Sequence, residues 1–418
     1  MNKRNFLKLS LLGLTALPAI SNIEKLMASV AHLADEELAG DADFWRKIRA
    51  SYKLKPDYIN LENGYYCILP EDTLEHFLQH VREINYQGSY YMRTYQIDNK
   101  KKVVEKLAEM AGCGADELII TRNTTESLDA VISGVHWQKG DEALMANQDY
   151  GAMLNMFKQV EKRHGIKSNL IDVPMHPESD EEVVAAYEVA ITSKTRLLMV
   201  CHMINITGHI LPVRKICDMA HARGVEVMVD GAHAFGHFNF SINDLNCDYY
   251  GTSLHKWISA PLGSGFLYVK KQNIPKIWPM FADGQREAFD IMALNHTGTH
   301  PCHTDLGIAN AINYHNAIGS DRKEARLRYI QNYWTDQVRD LDHVIMNTPK
   351  DRHRSCAIAN AGIKGIKPRE LAKILFEKHR IWTVGIDTVG VHGCRISPNV
   401  YTSTEELDVL VAALKSMA

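Results

Sequence analysis

The sequence has no C-x-x-C pair, no internal repeat, no low-complexity tract and, after its N-terminus, no apolar run long enough to cross a bilayer. Its eight cysteines, at 67, 113, 201, 217, 247, 302, 356 and 394, are scattered. Scattered thiols argue against a thiolate metal cluster, and in a chain of this size free buried cysteines are a simpler expectation than a disulfide framework. Neither sign of charge dominates: 47 Lys and Arg stand against 50 Asp and Glu, a formal net charge of −3. There is therefore no electrostatic case for nucleic acid or an anionic membrane surface. What is there is 418 residues of ordinary globular composition, 45% hydrophobic and 23% charged. That length supports a large core split between two domains.

Residues 1–31 read as an export signal. Lys3-Arg4 precede Asn5-Phe6-Leu7-Lys8, Leu9 to Ile20 form a short apolar core, and Ser29-Val30-Ala31 offer small residues for cleavage. Lys-Arg-Asn-Phe-Leu-Lys resembles a twin-arginine signal in which lysine replaces the first arginine, so a periplasmic location is expected. Sec export, an uncleaved anchor or a plain amphipathic helix are the alternatives.

Residues 32–84 form an N-terminal segment expected to join a small domain. Within it Asp57 to Pro70 combines a short strand with the Asn63-Gly64 turn, and a helix is expected from about Thr73 to Asn85. Gly88 to Tyr95 reads as a polar aromatic loop. From Asp98 the pattern alternates. Strands are expected at 117–121, 142–147, 168–173, 196–203, 225–230 and 265–269. Helices follow Asn123 and span 151–164, 180–191 and 212–223. Such alternation implies an α/β domain at about 85–300 with a mainly parallel sheet covered by helices, its ligands at the carboxyl ends of strands. Residues 301–418, with helices near 321–341, 368–379 and 404–416, make a smaller α+β domain.

One stretch organises the rest. VEVMVDGAHAFGHF begins at Val225 and delivers Asp230 at a strand end; CDYYGTSLHK then delivers Lys256 in a turn. An acid at a strand end and a lysine in a turn are what pyridoxal phosphate chemistry requires. The lysine forms a Schiff base, and the acid keeps the pyridine nitrogen protonated. Other residues supply the remaining parts. Thr124-Thr125 open a helix after a strand and suit a phosphate, although an isolated N-T-T-E is more often a plain N-cap. Tyr150 follows another strand end and can stack on a flat ring, or simply pack. Asn205, ahead of the Thr207-Gly208 turn, can reach the cofactor's phenolic oxygen, or serve only the turn. His233 can touch the same ring; Ser253 and His255 can reach the phosphate. Arg395, at the end of a strand, can clamp a substrate carboxylate, where the alternative is a surface ion pair.

VDGAHAFG followed by DYYGTSLHKWISAPLGSGFLYVKK resembles the class-V aminotransferase family of fold-type-I pyridoxal-phosphate enzymes, and within it the isopenicillin-N-epimerase-like branch. The resemblance spans roughly residues 57 to 412. It implies Lys256 as the Schiff-base lysine, Asp230 as the pyridinium partner and His233 as a ring contact. It further implies a phosphate site of Thr124, Thr125, Ser253 and His255, with Tyr150 stacking, Asn205 on the ring and Arg395 on the substrate carboxylate. HTGTHPCH resembles the segment that reaches a neighbouring subunit's phosphate, through Gly298 and Thr299, and so implies a homodimer with shared sites. Twin-arginine export, which moves folded proteins, suits a cofactor loaded in the cytoplasm.

Two departures matter. IDTVGVHG carries no cysteine where the desulfurase branch needs a nucleophile, which disfavours a persulfide-forming enzyme. His300 also replaces the arginine usual in the epimerase-like G-T-R run. The expected activity is transamination of an amino acid or peptide-linked amino acid, which needs only Lys256 to carry the proton. Epimerisation needs a second donor, for which Tyr65, Tyr66 and Tyr91 are candidates; β-elimination at a C–S bond is a third possibility. A non-catalytic binding protein of the same fold would be expected to have lost the lysine or the acid.

Overall fold

The structure is a computed structural model that describes residues 20–30, 32–281 and 286–418. Most of the expected export signal, residues 1–19 and 31, lies outside the described residues. Its remaining part, Ile20–Ser29, is a helix with Ile23 and Met27 buried.

Seven strands form the central sheet: β1 (Leu118–Thr121), β2 (Glu142–Ala146), β3 (Lys167–Ile171), β4 (Thr195–Cys201), β5 (Glu226–Asp230), β6 (Tyr249–Ser253) and β7 (Gly265–Val269). They lie in the order β1-β7-β6-β5-β4-β2-β3. All pairs are parallel except the two made by β7, which runs against β1 and β6. Alternation explains why these strands read as continuous apolar runs. Leu198, Val200, Val227 and Val229 face one hydrophobic layer, while Leu197, Met199 and Met228 face another. Both faces are therefore buried, as parallel sheets require. The sheet is the mainly parallel, helix-covered one that the alternating pattern implies, and the architecture is the fold-type-I α/β architecture that the resemblance implies.

The C-terminal region adds a four-stranded antiparallel sheet of β8 (Val344–Met346), β9 (Ala359–Ile363), β10 (Val384–Thr388) and β11 (Val391–Ile396), in the order β10-β11-β9-β8. Its core includes Trp334, Ile358, Leu371 and Leu410, together with Phe44, Trp45, Ile48 and Leu61 from the N-terminal segment. Ile59–Asn60 pairs in parallel with Ile381–Trp382, and Glu62 bridges Ser397.

Two elements differ from the sequence reading. Gly88 to Tyr95 is not a loop: Ser89–Thr94 is helical, because Tyr91 is buried against Ile84 and Cys302. A 17-residue helix, Cys302–Ile318, has no counterpart in the sequence pattern. It buries Ile308 and Ile312 in the sheet-side core and Tyr314 and Ile318 in the other, so it carries no single amphipathic stripe. The expected domain boundary at 300/301 falls at the start of this shared helix.

Candidate active site

The carboxyl ends of β4, β5 and β6 open into a cavity of about 340 Å³. Asp230, the last residue of β5, is buried, and its Oδ1 accepts from the Ala232 N–H at 3.0 Å. Burial pushes its carboxyl above the ordinary value, while that N–H and the Lys256 charge pull it back. Lys256 sits in the turn after β6, with Nζ 3.0 Å from His233 Nε2. Burial lowers its ammonium to about 8, opposed by Asp230. Burial, reinforced by Lys256, holds His233 well below the usual imidazole range, so the ring stays neutral at physiological pH. Its Nδ1 is buried with no hydrogen-bond partner among the described residues. The result is an amine that gives up its proton readily, lining the same cavity as a buried acid.

At one end of the cavity the Asn123 side chain caps the helix Thr124–Gly134 by accepting from the Glu126 N–H at 2.9 Å. The Thr124 N–H donates to Ser253 Oγ at 2.9 Å, and the two hydroxyls lie 2.7 Å apart. This close approach depends on Gly265, where a Cβ would fall 2.6 Å from Thr252 O and 2.8 Å from Asn123 N. Thr125 and His255 line the same end. Burial lowers His255 to about 4, and its Nδ1 is also buried with no hydrogen-bond partner among the described residues. Helix-terminal N–H groups and hydroxyls of this kind suit a phosphate.

Tyr150 precedes the helix Gly151–His164 and forms a partly exposed wall, with Asn205 and His233 also lining the cavity. Arg395, on β11, reaches the same space from the C-terminal sheet. Ten of the twelve residues expected at the site thus surround one cavity. Gly298 and Thr299, expected to reach a neighbouring subunit's phosphate, lie outside it: Gly298 has φ +69°, and Thr299 lines an adjoining hollow with His300, whose Nε2 is 3.0 Å from Asp305 Oδ2. The two hollows share Arg122 and Gly263.

Sequence reasoning missed the partners that hold the rim. Three successive carbonyls of the Asn205 segment accept from donors beyond residue 340. Arg395 Nη1 donates to Asn205 O at 3.3 Å, Asn360 Nδ2 to Ile206 O at 3.1 Å and Thr348 Oγ1 to Thr207 O at 2.6 Å. Glu62 pairs with Arg395. No local pattern marks Asn360, Thr348 or Glu62, because each acts on residues far away in the chain. Of the three tyrosines considered as donors, Tyr65 alone lines the cavity.

These features define a fold-type-I scaffold whose site brings an acid, a deprotonatable lysine, a phosphate-type turn and an arginine to one cavity. The chain belongs to the class-V aminotransferase family: the family model "Aminotransferase class-V" matches residues 71–410. It is 27% identical over 390 residues to an isopenicillin N epimerase from Streptomyces clavuligerus, covering 89% of this chain and 98% of that protein. It is 24% identical over 373 residues to a probable cysteine desulfurase from Halalkalibacterium halodurans, covering 82% and 88% respectively. Among solved structures, a cystine C–S lyase in complex with cysteine persulfide superposes with a TM-score of 0.80 at 21% identity, over 87% of this chain and 98% of that one.

Proposed function

We propose that the protein is a pyridoxal-phosphate-dependent enzyme acting on the amino group of an amino acid or peptide-linked amino acid, and that its reaction is transamination. The observation that carries this reading is Lys256 Nζ beside neutral His233 in the cavity that Asp230 floors and Arg395 rims. The bound cofactor supplies an electron-accepting ring in conjugation with the substrate nitrogen. Thr124, Thr125, Ser253 and His255 hold its phosphate, and Tyr150 and Asn205 orient its ring. Asp230, excluded from water, keeps a proton at the pyridine nitrogen. Arg395 receives the substrate carboxylate. Lys256, with its proton affinity already lowered, takes the α-proton and returns it. Transamination needs no second proton donor.

Epimerisation is the second reading, favoured by the epimerase relative and by Tyr65 at the cavity wall, largely exposed and open to exchange of its proton. Persulfide chemistry finds little support among the thiols. The β10–β11 turn contains no cysteine, and Cys394 is buried, with its Sγ donating to Pro368 O and its thiol pushed up to about 12. Cys201, at the cavity wall, is raised by burial and by Asp149 and Asp230. Incubation of the purified protein with amino-acid and peptide panels in deuterated water separates the readings. The keto acid that retains the substrate's side chain is expected; an α-deuterated D-amino acid without keto product would overturn transamination in favour of epimerisation, and pyruvate released from cysteine together with sulfide and ammonia would point to β-elimination.

Export by the twin-arginine route to the periplasm and assembly as a homodimer with shared sites belong to the same proposal. They rest on Lys3-Arg4-Asn5-Phe6-Leu7-Lys8 and on the likeness of HTGTHPCH to a subunit-spanning segment. Fractionation of cells and the mass of the purified protein in solution test them.

A further inference from the structure

Arg395 is committed before any substrate arrives. Its side chain is 8% exposed and that of Glu62 10% exposed. Arg395 Nε donates to Glu62 Oε2 at 3.3 Å, and Nη2 donates to Glu62 Oε1. A third N–H, on Nη1, goes to Asn205 O at 3.3 Å. The guanidinium lies against the backbone at Gly64, where a Cβ would stand 3.0 Å from Cζ. Of the five guanidinium N–H groups, the pair on the Nε/Nη2 edge is therefore filled by an internal carboxylate, and among the described residues one N–H on each of Nη1 and Nη2 is left without an acceptor. Glu62 is placed by backbone as well as by charge: its N–H donates to Asn60 Oδ1 at 3.1 Å, and it bridges Ser397 in the strand-like run beside β11.

We propose that Glu62 is a specificity-determining residue, an internal carboxylate that shares Arg395 with the substrate's carboxylate and confines it to the Nη1/Nη2 end. Two carboxylates on one desolvated guanidinium repel each other. A monocarboxylic substrate tolerates this because the cofactor and the cavity wall supply the rest of its binding. A dicarboxylic amino acid brings a third carboxylate to the same cation and is disfavoured. The proposal rests on the reading of Arg395 as the carboxylate anchor. It adds that the anchor is deliberately weakened and that its discrimination lies in Glu62.

The test uses the cofactor-loaded protein and follows the absorbance of the bound cofactor during titration with L-alanine, L-aspartate and ethylamine, so that binding is read apart from turnover. Glu62→Gln keeps an oxygen that can accept from the Nε/Nη2 edge but removes the charge. It is expected to tighten L-alanine about tenfold and L-aspartate more than that, while ethylamine changes less than twofold. Glu62→Asp keeps the charge and is expected to keep the native preference for alanine over aspartate. Weaker alanine binding in Glu62→Gln, an equal change for ethylamine, or the same gain in Glu62→Asp would each overturn the proposal and make Glu62 a strut for Arg395. If Glu62→Gln does not fold, a Glu62→Asp protein that loses the preference against aspartate overturns it by itself. An unsubstituted protein that acquires no chromophore with pyridoxal phosphate would overturn the functional reading as well. A normal chromophore with an unchanged ligand preference in Glu62→Gln would overturn only the role of Glu62.

Discussion

At the floor of the cavity, Asp230 and Ser253 end strands of one sheet, Thr124 starts the helix after β1, and Lys256 lies three residues beyond β6. At the rim, Arg395 comes from a different sheet and is held by Glu62, 333 residues away in the chain, and by Asn205 O, 190 residues away. The floor is a product of strand-to-turn geometry inside one sheet. The rim is a junction of three segments, each fixed by hydrogen bonds to the others. The floor should accordingly hold the cofactor and its chemistry, and the rim should set which substrates are accepted. Mutations ought to separate the two.

The largest break in that contrast is at the floor. Lys256→Ala removes both the group that binds the cofactor covalently and the base that moves the α-proton, so turnover should fall by on the order of 10²–10⁴-fold or more. Borohydride should then leave no cofactor attached to the protein, whereas the unsubstituted chain should be labelled at Lys256. Labelling of another lysine, with activity retained, would dissolve the assigned floor.

Arg395→Ala tests the rim. Leaving Glu62 buried without its cation and the substrate carboxylate without its anchor should raise KM for carboxylate-bearing substrates on the order of 10²-fold, in line with roughly 2–5 kcal/mol for truncating a buried charge pair. Cofactor affinity should change little. Equal losses of both would mean that the rim and the floor are one unit.

Gly208→Ala strikes the seam between them. Gly208 has φ +76°, and a Cβ there would lie 2.0 Å from Ile358 O. The seam would have to open, and the Asn205–Thr207 carbonyls would lose their register with Arg395, Asn360 and Thr348. A cost of about 1–3 kcal/mol is expected, read as a lowered denaturation midpoint. An unchanged midpoint would show that the segment is not clamped there.

The same contrast decides what was legible in the sequence. Val225–Val229 running into Asp230, and the Asn123-Thr124-Thr125 turn, are local patterns whose geometry follows from strand alternation and helix capping, so nine cavity residues besides Arg395 could be named from composition and order, with family resemblance joining them into one site. The rim resisted because its information is relational. Arg395 was visible as a residue, but its neutralisation by Glu62 depends on the pairing of Ile59–Asn60 with Ile381–Trp382 and of Glu62 with Ser397, which no local pattern announces. Cys302–Ile318 was missed for the related reason that a helix shared by two cores is apolar on several sides. Ser89–Thr94 reads as a loop because its polar tyrosines and Arg93 outweigh the one residue that tertiary packing buries, Tyr91.

The finest test concerns the proton on the floor lysine. In the cofactor-free chain, burial lowers Lys256 to about 8, against about 10.4 for a free lysine. Only the neutral amine attacks the cofactor's aldehyde, and a group titrating near 8 is about one-tenth neutral at pH 7 and about nine-tenths neutral at pH 9. The rate of cofactor capture, followed by absorbance after mixing, should therefore rise about tenfold between pH 7 and 9 and level off above that. A lysine with an ordinary value would still be gaining tenfold per unit at pH 9. Because Asp230 is the first group that opposes the burial effect, Asp230→Asn should move the plateau to lower pH, whereas Arg395→Ala, which removes a positive charge that lowers Lys256, should move it to higher pH. A plateau that shifts the same way in both variants would contradict the charges assigned to the two ends of the cavity.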